Sequence, residues 1–282
     1  MCLEHKIDFA VLVTVTNANP NGDPLNGNRP RENYDGYGEI SDVCIKRKIR
    51  NRLQDMGEKI FVQSDDRKKD EYKSLRDRAD HHEVLKALNK GKKTDRKAYR
   101  EAACKEWIDV RSFGQTFAFS GGMSIGIRGP VTVQQAFSVS PVDIVSMKIV
   151  KSVNGDGTEL SKSPDTMGTK HMVEFGLYVI KGSINCQLAV DTSFTEEDAE
   201  KALRTLFEND CSSARPDGSM EVCQLYWWKH DCKMPKYSSA KVHRSLHVEL
   251  KEGVEKPASF ADYKVTLDSL DGLEPEIIDN MA

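Results

Sequence analysis

The sequence lacks any apolar stretch long enough to span a lipid bilayer. A typical apolar run, residues 9–13, reads Phe-Ala-Val-Leu-Val, whereas a membrane helix needs about 20 apolar residues. Glu4 and His5 stand where a secretion signal would carry a basic start and an apolar core. We therefore expect a cytoplasmic protein without a membrane partner.

The sequence is also poor in the residue patterns of common metal and catalytic sites. Its seven cysteines are irregularly spaced, with no Cys-x-x-Cys pair, which favours a reduced cytosolic protein with buried thiols. His243 and His247 are four residues apart, but no third metal ligand lies nearby. The glycine-rich residues 120–130 are followed by a strand pattern and not by Gly-Lys-Ser/Thr. A P-loop has that motif and leads into a helix, so this loop is not a P-loop. We expect neither a cofactor nor a metal.

Charge is abundant but nearly balanced. The 282 residues are 30% charged and 38% hydrophobic, the mean hydropathy is −0.56, and the formal net charge is −3. This composition fits one elaborated domain or two small ones with a buried core. It argues against a uniformly basic nucleic-acid-binding protein, but it allows a local basic face that acidic residues elsewhere balance.

Residues 17–53 carry the strongest local signal. A loop rich in Asn, Pro and Gly leads into a helix pattern that begins at Ser41. Five basic residues and no acidic one lie between Lys46 and Arg52. Because a helix N-terminus and loop N–H groups favour anions, Ser41, Lys46 and Arg50 are candidates for binding a chain of phosphates. The alternative is an ordinary solvated cationic face.

Two other segments stand apart in composition. Residues 64–107 mix charges of both signs and predict a helical insertion with a solvated face. The alternative is direct nucleic-acid contact by the loop with Lys92 and Lys93. Residues 141–170 contain a long polar excursion between strand patterns, which is typical of a functional loop or a projecting hairpin. Met167, near its end, is either a core residue or an exposed apolar wedge.

The order of the remaining patterns predicts the fold class. Helix patterns follow Ser41 and Thr195, and strand patterns cover residues 7–15, 131–139, 142–150, 170–180, 183–191, 220–229, 242–250 and 263–267. The resulting βαββαβ order predicts an α+β protein with a ferredoxin-like (RRM-like) core, whose open sheet face and loops meet RNA in related domains. Strand alternation places Trp227 and Trp228 on opposite faces, one in the core and the other at the surface or an interface. The acidic residues 268–279 predict a loose edge or a partner-docking segment.

The sequence contains eight motifs of a known family: Asn19-Pro-Asn-Gly-Asp-Pro24, Asn28-Arg-Pro-Arg31, Ser41-Asp-Val-Cys-Ile-Lys-Arg-Lys-Ile-Arg-Asn51, Asp109-Val-Arg-x-Phe-Gly114, Gly129-Pro-Val131, Asp165-Thr-Met-Gly-x-Lys-His171, Phe175-Gly-Leu-Tyr-Val179 and Arg215-Pro-x-Gly218. With these motifs the chain resembles the backbone subunit of the type I-C CRISPR Cascade surveillance complex, a branch of the RAMP superfamily. The resemblance extends from Ile7 to about Val248.

This resemblance implies a scaffold without enzymatic activity. Copies of the chain would stack along one CRISPR guide RNA and hold its phosphates, which leaves the bases free to pair with a target DNA strand. Other Cascade subunits would be further partners. The implied guide-binding residues are Asn19, Asn21, Arg31, Ser41, Lys46, Arg47, Arg50, Arg111, Arg128, Met167, Lys170 and His171.

The resemblance also implies three structural parts. A palm, the ferredoxin-like core, would comprise residues 1–63, 111–140 (strands and a Gly-rich loop) and 171–282. Helical fingers would comprise residues 64–110. A thumb, residues 141–170, would reach the next copy and displace a guide nucleotide at regular intervals.

Two alternatives belong to other functional classes. One is a RAMP-type endoribonuclease that processes precursor RNA or cuts bound target RNA through a loop aspartate, Asp23 or Asp35. The other is a module that binds single-stranded RNA as a monomer.

Overall fold

The fold is known from a computed structural model, which describes residues 3–90, 93–118, 124–150, 167–195, 197–231 and 233–281, with only the backbone of residues 198–201. No helix in these ranges is both long and apolar enough to cross a membrane. The strands are β1 (Ile7–Ala18), β2 (Gly22–Asp23), β3 (Arg29–Pro30), β4 (Tyr37–Ile40), β5 (Gly114–Phe117), β6 (Ile125–Arg128), β7 (Val131–Val133), β8 (Ala136–Pro141), β9 (Ile144–Val150), β10 (Met167–Ile184), β11 (Met220–Lys229), β12 (Leu246–Leu250), β13 (Tyr263–Leu267) and β14 (Glu276–Asp279). The helices are α1 (Asp42–Asp55), α2 (Leu75–His81), α3 (Glu83–Leu88), α4 (Arg96–Glu106), α5 (Ile108–Phe113), α6 (Cys186–Thr192), α7 (Glu197–Arg204) and α8 (Ser239–Ser245).

An eight-stranded sheet forms the centre of the fold. Its central strand, β1, pairs antiparallel with β10 on one side and with β11 on the other. Six strands follow the order β14-β11-β1-β10-β8-β4, while β7 and β9 pair with other parts of β10. The predicted buried strand at residues 7–15 is confirmed and continues to Ala18.

Both faces of this sheet are covered. Phe9 of β1 packs with Ile45 of α1 in the layer on one face, which we call the helix layer. Leu12 packs on the other face with residues of α8, β12 and β13, which we call the C-terminal layer. Alternation along β11 sends Trp227 into the helix layer and Trp228 into the C-terminal layer, and both are buried. The prediction of one surface tryptophan is therefore wrong, because the C-terminal segment covers the expected open face.

Two predicted strands are partly helical. The strand predicted at residues 183–191 ends at Ile184, and α6 follows with Asn185 as its N-cap. The strand predicted from residue 242 begins only at Leu246, because α8 precedes it with Ser238 as its N-cap. In both places a capping side chain accepts hydrogen bonds from the first turn, and this local signal outweighs the alternating pattern. The strand predicted at residues 131–139 is divided between β7 and β8.

Residues 64–107, predicted as a helical insertion, contain helices α2, α3 and α4 and pack around a core of their own. Phe61, Tyr99, Trp107 and Phe117 form an aromatic cluster among α2–α5 and the β5–β6 hairpin. This cluster is separate from the helix layer of the sheet. Lys92 and part of the second glycine-rich loop, residues 119–123, lie outside the described residues.

Candidate nucleic-acid interface

The loop after β1 is fixed to the N-terminus of α1 by one asparagine. The Oδ1 atom of Asn21 accepts hydrogen bonds from the Ser41 backbone N–H at 2.9 Å and from its hydroxyl at 2.8 Å. The same Ser41 hydroxyl oxygen accepts a hydrogen bond from the Cys44 N–H and so caps the helix as predicted. The loop that carries the Asn-rich motif therefore has a defined position beside the positive end of a helix.

Asn19 lies deeper and is buried at the root of this loop. Its Nδ2 atom donates to the Asn28 carbonyl at 2.6 Å, whereas its Oδ1 atom has no hydrogen-bond partner in the described part of the chain. Its backbone carbonyl accepts from Arg215, which also pairs with Asp210. Asn19 therefore shapes the loop from beneath.

The five basic side chains of α1 are paired within the chain. Lys46 bridges Asp42 at 3.0 Å one turn earlier, Lys48 pairs with Asp210, and Arg52 pairs with Glu208 at 2.7 Å. Asp42 lies in the same helix, whereas Asp210 and Glu208 are distant in sequence and were not visible in the local composition. The helix is therefore locally free of acidic residues between Lys46 and Arg52, but its charge is largely balanced by other elements.

Arg47 and Arg50 face the insertion. Arg50 Nε donates to Asp109 at 3.0 Å, and the Asp109 carboxylate also accepts from the backbone N–H groups of Phe61 and Val62. Arg47 donates to the Val62 carbonyl at 2.7 Å, and burial, with Arg50 nearby, lowers the pKa of its guanidinium. The Arg50 side chain is 13% exposed and that of Lys46 is 27% exposed. Lys46 is thus the more accessible of the two for an incoming phosphate.

Arg29 and Arg31 line the outer part of the loop. Arg31 bridges Asp23 at 3.5 Å and is 38% exposed. Arg29 donates to the Ser146 hydroxyl of β9 at 3.3 Å, and that hydroxyl contacts Nδ1 of His171 on β10 at 2.8 Å. This Arg29–Ser146–His171 chain joins the first loop to the base of the segment predicted as a thumb. Sequence reasoning missed Arg29, although it stands inside the quoted motif at residues 28–31.

The predicted thumb begins and ends as a two-stranded ribbon. β9 pairs antiparallel with the first residues of β10, from Ile144 opposite Val173 to Val150 opposite Met167. Met167 is 64% exposed and lies outside the three buried clusters. Residues 151–166, which complete the predicted thumb, lie outside the described residues. The exposed position of Met167 is compatible with the wedge hypothesis and incompatible with the core alternative.

The ribbon separates two of the predicted site residues. In an antiparallel ladder, directly opposite residues share a face, and neighbours along a strand alternate. His171 and Met167 therefore share the face of Val173, which belongs to the helix layer. Lys170, opposite Met147, lies on the other face.

Arg111 and Arg128 lie in the insertion and its hairpin. Arg111 of α5 is half-buried and donates to the Cys104 carbonyl at 2.9 Å. Arg128, at the end of β6, is exposed. The role of both arginines in guide binding stays a prediction.

The residues considered for catalysis or metal binding lie in a helix cap, a turn, a helix and a strand. Asp23 caps a short 3-10 helix by accepting from the Leu25 N–H. Asp35 lies in a turn, exposed, where its N–H donates to Asn33. His243 is buried in α8 and His247 lies on β12. Within the described ranges, no three His, Cys, Asp or Glu residues form a metal-binding group.

One catalytic-type spacing was overlooked in the sequence. Residues 122–126 read Gly-Met-Ser-Ile-Gly, the Gly-x-Ser-x-Gly spacing of a nucleophile elbow. That motif requires a turn from a strand into a helix. Here Ser124 is exposed and directly precedes β6, so a strand follows it in place of a helix.

Comparison with known proteins defines the class of this chain. Residues 5–268 match the family described as CRISPR-associated protein Cas7. Because this match covers most of the 282 residues, the chain belongs to that family.

A curated relative agrees with this assignment, and a solved structure shares the fold. The "CRISPR-associated protein Cas7" of Haloferax volcanii is 38% identical over 104 residues, which are 36% of this chain and 29% of that protein. The chain thus aligns with less than a third of this relative's length. A chain of a solved structure titled "CRISPR RNA-guided surveillance complex, pre-nicking" shares the fold with a TM-score of 0.50 at 13% identity, over 89% of this chain and 84% of the other.

Proposed function

We propose that this chain is a guide-RNA-binding scaffold subunit that polymerises along a CRISPR RNA in a type I-C Cascade complex. The complex would recognise foreign DNA through the guide, in the cytoplasm, and the subunit itself would have no enzymatic activity. The Cas7 family match supports the class of protein. Its partners would be guide RNA, the target DNA strand paired to it, further copies of the chain and other Cascade subunits.

One observation carries the proposal. The loop after β1, the N-terminus of α1 and one face of the β9–β10 ribbon are joined on one side of the sheet through Asn21–Ser41 and Arg29–Ser146–His171. We place the RNA contact along this side of the sheet, where Arg29, Arg31, Lys46 and His171 would line one strip. Such a strip suits a single RNA strand held by its phosphates, which positions RNA without reading its sequence.

The residues of the proposed site divide into two groups. Lys46, Arg29, Arg31 and His171 are accessible and would contact the guide backbone. A second group holds these elements in place and consists of Asn19, Asn21, Ser41, Arg47 and Arg50. Lys170 faces away from this strip, so the proposed site does not include it.

Met167 would act as the wedge between guide nucleotides. Its cross-strand partner is Val150, which is also exposed and lies on the same face. Two adjacent apolar side chains present a broader surface to an RNA base than Met167 alone. The wedge we propose is therefore the Met167–Val150 pair.

The strand order supports a ferredoxin-like palm. β1, α1, β8, β10, α7 and β11 follow one another in a βαββαβ sequence, and the four strands lie in the sheet order β11-β1-β10-β8. This is the order expected when two β-α-β units with crossing helices share an antiparallel sheet. We further propose that the insertion with the Phe61–Trp107 core is the fingers and that the ribbon is the base of the thumb.

The two aspartates of the endoribonuclease alternative take part in structural contacts. Asp23 is engaged with Leu25 and Arg31, and Asp35 is held in an exposed turn. Incubation of the RNA-bound protein with labelled RNA and a divalent cation tests this directly. Cleavage that Asp23→Ala or Asp35→Ala abolishes would refute the scaffold.

Salt-dependent guide binding tests the proposed site. Replacing Lys46 with Ala removes one accessible cation, so we expect about tenfold weaker binding and a salt slope smaller by about 0.7, the value for one phosphate contact on a single strand. Lys97→Ala is the matched control, because Lys97 forms the same kind of one-turn bridge, to Glu101, on α4. Equal affinity and equal salt slope for both variants would remove α1 from the guide site.

A further inference from the structure

A second concentration of basic residues lies between the end of β11 and the end of α8. Residues 229–244 contain five lysine or arginine residues and one acidic residue, whereas the whole chain has a formal net charge of −3. All five basic side chains are exposed, and they are Lys229, Lys233, Lys236, Lys241 and Arg244. None of them belongs to the guide site proposed above. A local excess of this kind creates a positive potential, whatever the net charge of the protein.

This basic segment is far from the strip proposed for the guide. β1 begins at Ile7, opposite Lys229 of β11, and it ends at Ala18, where the guide loop starts. Its twelve residues span about 36 Å at the ordinary rise of a strand. α8 also packs in the C-terminal layer, whereas the strip continues the helix layer. The strip and α8 therefore lie at opposite ends and on opposite faces of the sheet.

The outer side of α8 carries two cations without a carboxylate partner. α8 packs on the C-terminal layer through Val242, and Lys241 and Arg244, three residues apart, share its exposed side. Among the described residues, no carboxylate forms an ion pair with either of them. Both lysines of α1 named above, by contrast, pair with an aspartate of the same chain. The positive charge of α8 is thus available to a partner molecule.

Tyr237 fixes the position of one of these charges. Its hydroxyl donates to the Asp271 carbonyl at 3.1 Å, and the Lys241 ammonium lies 4.6 Å from the centre of its ring. The Lys236 ammonium lies 5.4 Å from the same centre and pairs with the Asp271 carboxylate at 2.7 Å. An aromatic face attracts a cation without neutralising it. Lys241 is therefore a positioned positive charge, which loses less side-chain freedom when an anion binds.

A polar network anchors α8 at the start of β1. Lys6 Nζ donates to the Ser239 hydroxyl at 2.6 Å and to the Asp8 carboxylate at 2.9 Å. The same carboxylate lies 2.8 Å from Nε2 of His230, which follows β11. These contacts join β1, β11 and the first turn of α8. The charges on the outer side of α8 therefore have a fixed position relative to the sheet.

We propose that the outer side of α8 and the lysines before it bind the phosphates of the DNA strand that guide pairing displaces from a duplex target. This inference rests on the proposed function as a guide-bound scaffold. The guide, with the target strand paired to it, occupies the strip on the other face of the sheet, so the displaced strand is the remaining DNA chain. Phosphate contacts do not read sequence, which suits a strand whose sequence changes with every target.

Neutral substitutions on α8 test this site in the complete guide-loaded complex. Lys241→Ala with Arg244→Ala removes both cations and keeps good helix formers at both positions. We expect at least tenfold weaker binding of a duplex target and a salt slope smaller by about 0.7 for each lost phosphate contact. A single-stranded target displaces no strand, so its affinity should stay at the wild-type value. Lys251→Ala with Lys264→Ala, at exposed positions of the β12–β13 hairpin in the same layer, is the matched control and should bind both targets like the wild type.

Removing the charge from the DNA tests the same contact from the other side. The probe is a target with a pre-opened bubble, whose displaced strand carries either ordinary phosphates or uncharged methylphosphonate linkages. The wild-type complex should bind the uncharged form at least tenfold more weakly, whereas the Lys241→Ala, Arg244→Ala variant should bind both forms equally. An equal effect of the uncharged linkages on both proteins would overturn the proposal. So would a variant that loses as much affinity for the single-stranded target as for the duplex.

Guide loading separates this inference from the proposed function. The α8 variant should load the guide RNA with the wild-type affinity, because the strip lies on the other face of the sheet. Normal loading together with wild-type affinity for the duplex target would overturn the site on α8 alone. A wild-type protein that binds no guide RNA would overturn the proposed function.

Discussion

Asp109 supports the junction between the helix layer and the insertion more than any surface charge does. Its carboxylate is 1% exposed and accepts from Arg50 at 3.0 Å, from the Phe61 N–H at 2.7 Å and from the Val62 N–H at 3.0 Å. Replacing Asp109 with Ala leaves a nearly buried guanidinium without its counter-charge and removes the acceptor of two backbone N–H groups. We therefore expect a large loss of stability.

The size of this loss follows from the burial of the pair. Removing one partner of a buried ion pair costs about 3–5 kcal/mol, because the other charge stays buried and uncompensated. For a chain of 282 residues, the average entropy of unfolding per residue makes each kcal/mol worth roughly 2 °C of melting temperature. Asp109→Ala should therefore melt about 6–10 °C below the wild type. Asp65→Ala, at an exposed aspartate of the same insertion, should change the melting temperature little.

Thermal unfolding followed by circular dichroism measures this effect. A double-mutant cycle with Arg50→Ala should show strong coupling, because each single change already breaks the same pair. A melting temperature within about 2 °C of the wild type, or strictly additive effects, would refute the assignment of Asp109 to the junction. Arg50→Ala should also change the salt slope of guide binding less than Lys46→Ala does, since Arg50 is less exposed.

Three further perturbations have defined outcomes. Gly38→Ala should destabilise the protein by about 1–3 kcal/mol, because the new Cβ would overlap the hydroxyl of the fully buried Tyr178. Adding Tyr178→Phe removes that hydroxyl, so the denaturant midpoint of the double variant should recover in part. Burial alone would raise the pKa of Asp8, but the hydrogen bonds to its carboxylate, above all the one with His230, outweigh burial and lower that pKa. The folded state therefore binds fewer protons than the unfolded state. Stability from this group is thus present above about pH 4 and is lost as the pH falls further, and Asp8→Asn should flatten that acid limb in unfolding curves. Met167→Ala should reduce the regular displacement of guide nucleotides, seen by chemical probing of bound RNA, and leave the melting temperature unchanged.

Local patterns in the sequence predicted the elements around the candidate site well. The strand β1, the Ser41 cap and the helix α1 depend on nearby residues, namely a β-branched run, a capping hydroxyl and an apolar stripe. These features need no tertiary information. The position of Met167 in an exposed ribbon was open in the sequence and is resolved by the pairing of β9 with β10.

Long-range pairing is what the sequence did not show. The charge of α1 looks unbalanced locally because Lys48 meets Asp210, which lies 162 residues further along the chain, and Arg50 meets Asp109 across 59 residues. The burial of Trp228 likewise depends on a C-terminal layer that no local pattern links to β11. Hydrophobic periodicity and composition describe each helix or strand separately, so they do not predict contacts between elements that are distant in sequence.

The mass of the protein on RNAs of increasing length tests the scaffold most directly. The account predicts that wild-type protein adds in steps of one 31.7 kDa subunit as the guide lengthens, with the RNA left intact. A single copy on every RNA, whatever its length, would contradict the account.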